Sequence, residues 1–445
     1  MEGKKALVLG LGISGRAATR LLLSKRVSTF AVDDHLEKIK DLPDIIQLLN
    51  QGLQIADASI DMASFDEVIV SPGIPPSTIW MQKAIEAQVP LIGEAQLAFR
   101  ELPGHKMIAI TGTNGKTTVT SLCEHVLKSC GVKARALGNI GTPLSDYVLS
   151  ADSEEVIVAE LSSYQLETME GSFFDAAILL NITPDHLDRY ASMDEYARAK
   201  CRLQGCMKPS APLYVFGSAA REYGAFLSKG YATFGVCGED EYGTDGKAIY
   251  RGEKVALFYP IGYEKKGMHE SINALAAWLL CKDFGVDRAS FVHALESFIK
   301  PSHRIEFVAE VDGVSYYDDS KGTNLDAVIQ AVGTMNGPVV LIAGGVDKGA
   351  SYLLWKDPFY RRVKHVFALG QAAQKIYQEL SPYYVVEVVP SLSAAVEGAS
   401  KIASEGDSVL LSPGCSSFDM FRDYAHRGEE FQKSVNMLVE RKKTV

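Results

Sequence analysis

The stretch from Met107 to Val132, MIAITGTNGKTTVTSLCEHVLKSCGV, constrains the fold more than any other. It opens with a short apolar run that reads as a buried strand, turns at Gly112 and Gly115, and continues with Val119, Leu122, Val126 and Leu127 at near-helical spacing. Gly131 is placed to end that helix in a left-handed cap. Such a junction turns the backbone N–H groups of Thr113 to Thr117 toward the positive end of a helix, where an anionic oxygen suits them best. The glycines let the backbone approach a phosphate, Lys116 adds a point charge, and the Thr117 hydroxyl can ligate magnesium. The usual pattern has a glycine five residues before the Gly-Lys pair, where this chain has Ile110, so the cradle is shorter than usual. The stretch reads as a nucleoside-triphosphate site; the competing reading is an ordinary glycine turn between a strand and a helix.

The 445 residues suggest three domains at roughly 150 residues each, and 47% hydrophobic content is enough for several packed cores. A net charge of −10 argues against non-specific binding to nucleic acid or anionic lipid. The seven cysteines lack CxxC spacing and read as reduced thiols of a cytoplasmic protein. Glu2, Lys4 and Lys5 lead straight into a strand, so no signal peptide is expected, and no apolar run approaches membrane-spanning length.

Residues 1–93 are expected to form a Rossmann-like first domain. The strand Lys5–Leu9 runs into Gly10-Leu11-Gly12-Ile13-Ser14-Gly15, a GxGxxG turn, and a helix follows from Ala17 to Leu23. A second strand, Thr29–Val32, ends in Asp33 and Asp34, where a dinucleotide fold puts its ribose-binding acid. A third, Glu67–Val70, ends in Ser71-Pro72-Gly73-Ile74-Pro75 at the carboxyl edge of the expected parallel sheet. A dinucleotide, another nucleotide-like ligand, or a bare glycine turn all fit these residues.

Residues 94–299 form the expected central domain around the phosphate cradle. The strand Val156–Ala159 ends in Glu160, a carboxylate where a magnesium ligand belongs beside a phosphate loop. A strand at Ala176–Asn181 leads into Thr183-Pro184-Asp185-His186-Leu187-Asp188-Arg189-Tyr190, dense in groups that can ligate metal or hold phosphate. Asp194 to Lys200 reads as an amphipathic helix with Lys200 on its solvated face. Residues 300–445 read as another α/β sheet, with strands Val339–Ala343, His365–Leu369 and Ser408–Leu411 and a helix at Ser393–Ala403.

Five ordered blocks, TGTNGKTT at 111–118, GNIGTP at 138–143, ELSSYQLE at 160–167, NITPDHLDRY at 181–190 and AKxR at 199–202, resemble those of the Mur ligases, which build the peptide of bacterial peptidoglycan. The GLGISG and SPGIP turns, with LLSPGCSSFDMFRDYAHRGEEF at 410–431, are similar to the branch of that family that adds D-glutamate. The resemblance covers essentially the whole chain and implies an ATP-dependent ligase of three α/β domains, the central one ATPase-like and the outer two Rossmann-like.

The resemblance also implies roles. Gly112, Thr113, Asn114, Gly115, Lys116, Thr117 and Thr118 would hold ATP, and Thr117, Glu160, His186 and a carbamylated Lys200 would hold magnesium, with Lys116, His186 and Lys200 serving catalysis. Asn273, on a helix expected over Met268–Cys281, would read adenine, with Arg304 and Asp319 also on ATP. Ser14, Asp33, Asp34 and Gly73, with Asn139 from the central domain, would hold UDP-N-acetylmuramoyl-L-alanine, although Asp34-His35 stands where the family often has a hydroxyl and an arginine. His269-Glu270 likewise replaces the usual His-Asn pair. Lys321, Thr323, Lys348, Ser417 and Phe418 would meet D-glutamate. The implied setting is a cytoplasmic monomer acting on small molecules, without nucleic acid or membrane. A sister ligase for another amino acid and, in another class, a nicotinamide-dependent dehydrogenase are the competing readings.

Overall fold

The computed structural model describes residues 3–57, 59–228, 230–252, 255–258 and 267–443. These form two compact units, Met1–Ile182 with Asp194–Phe298, and Thr183–Met193 with Ile299–Val445.

The first unit holds two sheets. One has five parallel strands in the order Gln54–Ile55, Ser28–Val32, Lys5–Leu9, Glu67–Val70, Leu91–Gly93. Lys5–Leu9 is central and, after Lys5, apolar and buried, as a parallel strand covered on both faces must be. Ala6 and Val8 pack on one side with Ala18, Leu21 and Leu22 of the helix Ile13–Ser24, while Leu7 and Leu9 pack on the other with Phe65, Val68 and Met81. That helix starts earlier than the apolar spacing indicates, because Gly12 takes the N-cap position and brings Ile13 into the first turn.

The second sheet runs, among the described residues, Val255–Phe258, Ile249–Arg251, Tyr242–Thr244, Tyr231–Val236, Leu213–Phe216, Ala176–Leu179, Met107–Thr111, Val156–Glu160, Ala134–Gly138. Its last seven strands are parallel and the first two antiparallel. The helix Lys116–Ser129 buries Val119, Leu122, Cys123, Val126 and Leu127 against this sheet and the helix Met268–Cys281. Each such side chain contributes about 1.5–3 kcal/mol of transfer free energy. Gly131, at φ +79°, ends the first of these helices, with Val132 N–H returning to Leu127 O at 2.9 Å. The strand expected over Ala176–Asn181 stops at Leu179, because Asn181 leaves the ladder to bind the glycine turn.

The second unit carries a six-stranded sheet in the order Glu306–Val311, Val314–Asp318, Ser408–Leu411, Val339–Gly344, Val363–Leu369, Val386–Val388. Only the first pair is antiparallel. Helices cover both faces: Leu325–Thr334 and Ala373–Leu380 pack over Trp355 and Phe359, and Leu392–Ile402 with Tyr424–Lys443 packs over Phe367 and Val409. Among the described residues no helix is long and apolar enough to cross a membrane.

Candidate active site

The glycine turn has the geometry its sequence demands. Gly112 has φ +150° and Gly115 φ +84°, and a Cβ at Gly112 would lie 2.8 Å from Leu180 Cβ. Gly115 caps the helix Lys116–Ser129, whose first-turn N–H groups have no acceptor within the helix. Two of the expected amides are turned to another use: Asn181 Oδ1 accepts from Thr113 N–H at 3.1 Å and from Asn114 N–H at 2.7 Å. Asn181 Nδ2 returns a bond to Asn114 O at 3.0 Å, so this carboxamide stitches the turn to the neighbouring strand end.

Two ammonium groups converge on one carbonyl of that turn. Lys116 Nζ donates to Gly112 O and Thr113 O, each at 2.8 Å, and Lys200 Nζ also donates to Gly112 O at 2.8 Å. Lys200 is only 1% exposed, with Nζ 4.6 Å from the centroid of the Tyr196 ring. The solvated-face reading of Lys200 is thus corrected: the helix Met193–Cys201 buries Tyr196, Ala197, Ala199 and Lys200 and aims the lysine at the phosphate turn. Tyr196 shares in this contact, its hydroxyl 3.1 Å from Thr113 Oγ1.

Glu160 sits at the end of its strand opposite Ile110, two residues before Gly112. It is 1% exposed; Oε1 accepts from Asn139 Nδ2 at 3.1 Å, whereas Oε2 has no hydrogen-bond partner among the described residues. A buried, orphaned carboxylate oxygen is costly unless a cation takes it, and hard oxygen donors such as this and the Thr117 hydroxyl suit magnesium. Asn273, 4% exposed, places Oδ1 3.0 Å from where a Gly115 Cβ would stand, and its Nδ2 is likewise without a partner. A buried donor beside a phosphate turn fits a nucleotide acceptor.

In the five-stranded sheet Asp33 is a scaffold. Its Oδ2 accepts from Leu11 N–H at 2.7 Å and its Oδ1 from His35 N–H at 2.8 Å, fixing the first glycine turn. Ser71 Oγ–H donates to Gly10 O at 2.9 Å, and a Cβ at Gly15 would collide with Gly10 O at 1.8 Å, so the turn admits only glycine there. Ser14 is half-buried, while Asp34 and Gly73 are exposed. Asn139 is bound to Glu160 by both its amide N–H, at 2.9 Å to Glu160 O, and its side chain.

The second unit gathers a separate polar cluster around Asp185, a buried carboxylate to which the sequence assigned no role of its own within its loop. Lys348 Nζ donates to its Oδ1 at 2.9 Å and Asn324 Nδ2 to its Oδ2 at 3.4 Å. His186 N–H donates to Oδ1 at 2.9 Å, and His186 holds φ +56°, a strained value for a residue with a Cβ. Pro184, Asp185, Asn324, Asp347, Lys348 and Tyr352 line a small cavity. Asp319 is buried and accepts from Ser412 Oγ–H at 2.7 Å; loss of water lifts its carboxyl to about 7, against a counter-pull from that hydroxyl and from Arg304. Lys321 Nζ lies 3.8 Å from the Tyr424 ring centroid, Thr323 N–H donates to Lys321 O at 2.9 Å, Ser417 is buried and Phe418 is 73% exposed. Tyr196 and Asn181 were missed by the sequence reading, and Asp185 was named only among the loop groups able to ligate metal or hold phosphate, although Asn181 and Asp185 both fall inside the NITPDHLDRY block.

Comparisons with known proteins bear on the whole chain. Residues 4–93 match the model of the Mur ligase MurD-like N-terminal domain, residues 110–281 that of the Mur ligase middle domain, and residues 303–415 that of the Mur ligase glutamate ligase domain. A UDP-N-acetylmuramoylalanine–D-glutamate ligase of Protochlamydia amoebophila is 48% identical over 98% of both chains, and one of Geotalea daltonii 38% identical over 98% of both. Among solved structures, the UDP-N-acetylmuramate-alanine ligase MurC of Thermotoga maritima shares the fold at TM-score 0.58 and 20% identity, covering 99% of both chains. The MurF ligase of the same organism, solved in complex with ADP, does so at TM-score 0.59 and 16% identity, covering 92% of this chain and 95% of its own. On these matches, the chain belongs to the Mur ligase family.

Proposed function

We propose that this enzyme joins D-glutamate to UDP-N-acetylmuramoyl-L-alanine at the expense of ATP, a step of peptidoglycan precursor synthesis and hence of cell-wall growth and division. The names carried by full-length relatives at 48% and 38% identity support this choice of substrates. The convergence of Lys116 and Lys200 on one carbonyl of the glycine turn carries the chemistry.

The carboxylate of UDP-N-acetylmuramoyl-L-alanine attacks the γ-phosphorus of ATP, giving an acyl phosphate and ADP. The amine of D-glutamate then adds to the acyl carbon, and the tetrahedral intermediate expels phosphate to leave the amide. No side chain acts as a nucleophile; the protein supplies position and charge. Gly112 to Thr118 cradle the phosphates, Lys116 balances their charge, and Asn273, Arg304 and Asp319 are the further contacts to ATP. Magnesium would be held by Thr117, Glu160, His186 and carbamylated Lys200, where it neutralises phosphate oxygens. Ser14, Asp34, Gly73 and Asn139 take the UDP-sugar, with Asp33 acting by fixing the turn around Leu11. Lys321, Thr323, Lys348, Ser417 and Phe418 take D-glutamate. The enzyme works as a cytoplasmic monomer.

The carbamate on Lys200 has its own electrostatic support. Two ammonium groups, each 2.8 Å from Gly112 O, lie at most about 5.6 Å apart, twice that distance. At an effective dielectric of about 20 their repulsion amounts to at least about 3 kcal/mol. When the free amine of Lys200 adds to carbon dioxide and releases a proton, the repulsion becomes attraction, and the carbamate nitrogen keeps one N–H for the Gly112 carbonyl. Incubation with ATP, magnesium, UDP-N-acetylmuramoyl-L-alanine and D-glutamate is expected to give ADP, phosphate and the amide in equal amounts. Phosphate release that ignores omission of the UDP-substrate would refute the proposal.

A further inference from the structure

The side chain of Arg427 is 2% exposed, yet among the described residues it forms no ion pair. All three of its hydrogen bonds go to neutral acceptors: Nε–H to Ser320 Oγ at 3.0 Å, Nη2–H to Ser320 O at 2.8 Å and Nη1–H to Cys415 O at 3.1 Å. Burying a guanidinium this way is costly, and packing alone would be served as well by Met or Leu. What no apolar residue could do is span two loops with one rigid, planar fork.

The two loops are those named above for D-glutamate. Ser320 directly precedes Lys321 and stands three residues before Thr323; Cys415 stands two residues before Ser417 and three before Phe418. The first turn of the helix Tyr424–Lys443 completes the support: Ser320 Oγ–H donates to Tyr424 O at 2.7 Å, and the Tyr424 ring lies under Lys321 Nζ. A third loop leans on the same group, since a Cβ at Gly345 would stand 3.2 Å from Arg427 Nη1, three residues before Lys348. Asp319 has hydrogen bonds of its own, from Ser412 Oγ–H and from its N–H to Leu411 O at 2.7 Å, and none to Arg427 among the described residues.

We propose that Arg427 is a positioning residue for the amino-acid subsite: it fixes the spacing of the loops bearing Lys321, Thr323, Ser417 and Phe418 without touching the substrate. The inference rests on the D-glutamate reading above. Its test is the steady-state kinetics of Arg427→Met, Arg427→Lys and Ser320→Ala, with KM determined separately for D-glutamate, ATP and the UDP-substrate. Arg427→Met is expected to raise KM for D-glutamate about tenfold or more, the scale of one charged hydrogen bond lost, and to leave KM for ATP within about threefold. Arg427→Lys keeps the charge but not the fork and falls between. Ser320→Ala removes one acceptor of the fork and the tie to Tyr424, shifts the same constant in the same direction by less, and carries the test should Arg427→Met fail to fold. An unchanged KM for D-glutamate in the folded variants, or an equal rise in all three constants, would overturn the proposal. Wild-type enzyme that does not use D-glutamate at all would instead refute the substrate reading before any variant is compared.

Discussion

Replacing Lys200 separates packing from chemistry. The side chain is buried, and cutting it to alanine removes four heavy atoms from a filled site behind the phosphate turn. Truncating a long buried side chain costs about 2–4 kcal/mol through the cavity left behind. Losing the bond to Gly112 O adds about 1 kcal/mol. The net expectation for Lys200→Ala is a loss of about 3–5 kcal/mol, read as a lowered unfolding midpoint. Lys200→Met keeps the stem, and Gly112 O keeps Lys116 as a donor, so its stability should stay within about 1 kcal/mol of wild type. Neither variant can carry a carbamate. Both should be nearly inactive in a phosphate-release assay at saturating magnesium, as should Lys200→Gln. Lys200→Ala, which leaves room, should be partly rescued by formate or acetate, while Lys200→Met should not. Full activity in Lys200→Met or Lys200→Ala would refute the carbamate and reduce Lys200 to a packing residue.

Lys116→Ala should retain the fold and lose about a hundredfold or more in ligation rate, as expected for a removed charge-stabilising contact; circular dichroism and phosphate release together check this. Burial holds the Asp319 carboxyl near 7 against an ordinary 3.8, so the folded state keeps a proton the unfolded state has released, and stability from this group falls as pH rises through that window. Asp319→Asn should remove a slope of at most on the order of 4 kcal/mol across about three pH units, read as a wild-type-minus-variant unfolding midpoint that declines from pH 5 to 8; a pH-independent difference would contradict it. On the proposed assignments the phosphate cradle lies in the first unit and the D-glutamate contacts in the second, so the separation of distance labels, one in each unit, is expected to change on adding ATP and the UDP-substrate; one unchanged distance distribution would count against this.

The parts of the molecule most legible in the sequence are those fixed by local rules. Lys5–Leu9, Glu67–Val70 and Ser408–Leu411 were readable to the residue because a buried parallel strand is a short apolar run bounded by turn formers. Lys116–Ser129 was readable because Gly115 and Gly131 punctuate it at both ends. The site was less legible where side chains act across long sequence separations. Lys200 lies on a charged, polar-looking helix, and only its packing beside Gly112, 88 residues earlier, shows that it is buried. Asn181 takes two amides that a loop pattern assigns to phosphate, a use no spacing rule reveals. Asp185 meets Lys348 across 163 residues, and Arg427 meets Ser320 across 107; in each case the sequence names the charged residue or its loop without its partner, and tertiary folding makes it a buried organiser.

The central claim is the identity of the amino acid joined, and one assay reads it: phosphate release by the wild-type enzyme with ATP, magnesium and UDP-N-acetylmuramoyl-L-alanine, scored against a panel containing D-glutamate, L-glutamate, L-alanine, glycine, L-lysine and diaminopimelate. The account predicts turnover with D-glutamate at least about a hundredfold above glycine, L-alanine and L-lysine, which leave the charges of a site for two carboxylates unpaired, and above L-glutamate and diaminopimelate, which present their charged groups to the same site in another arrangement. Preferred turnover with another member of the panel, or phosphate release that does not depend on any amino acid, would contradict it.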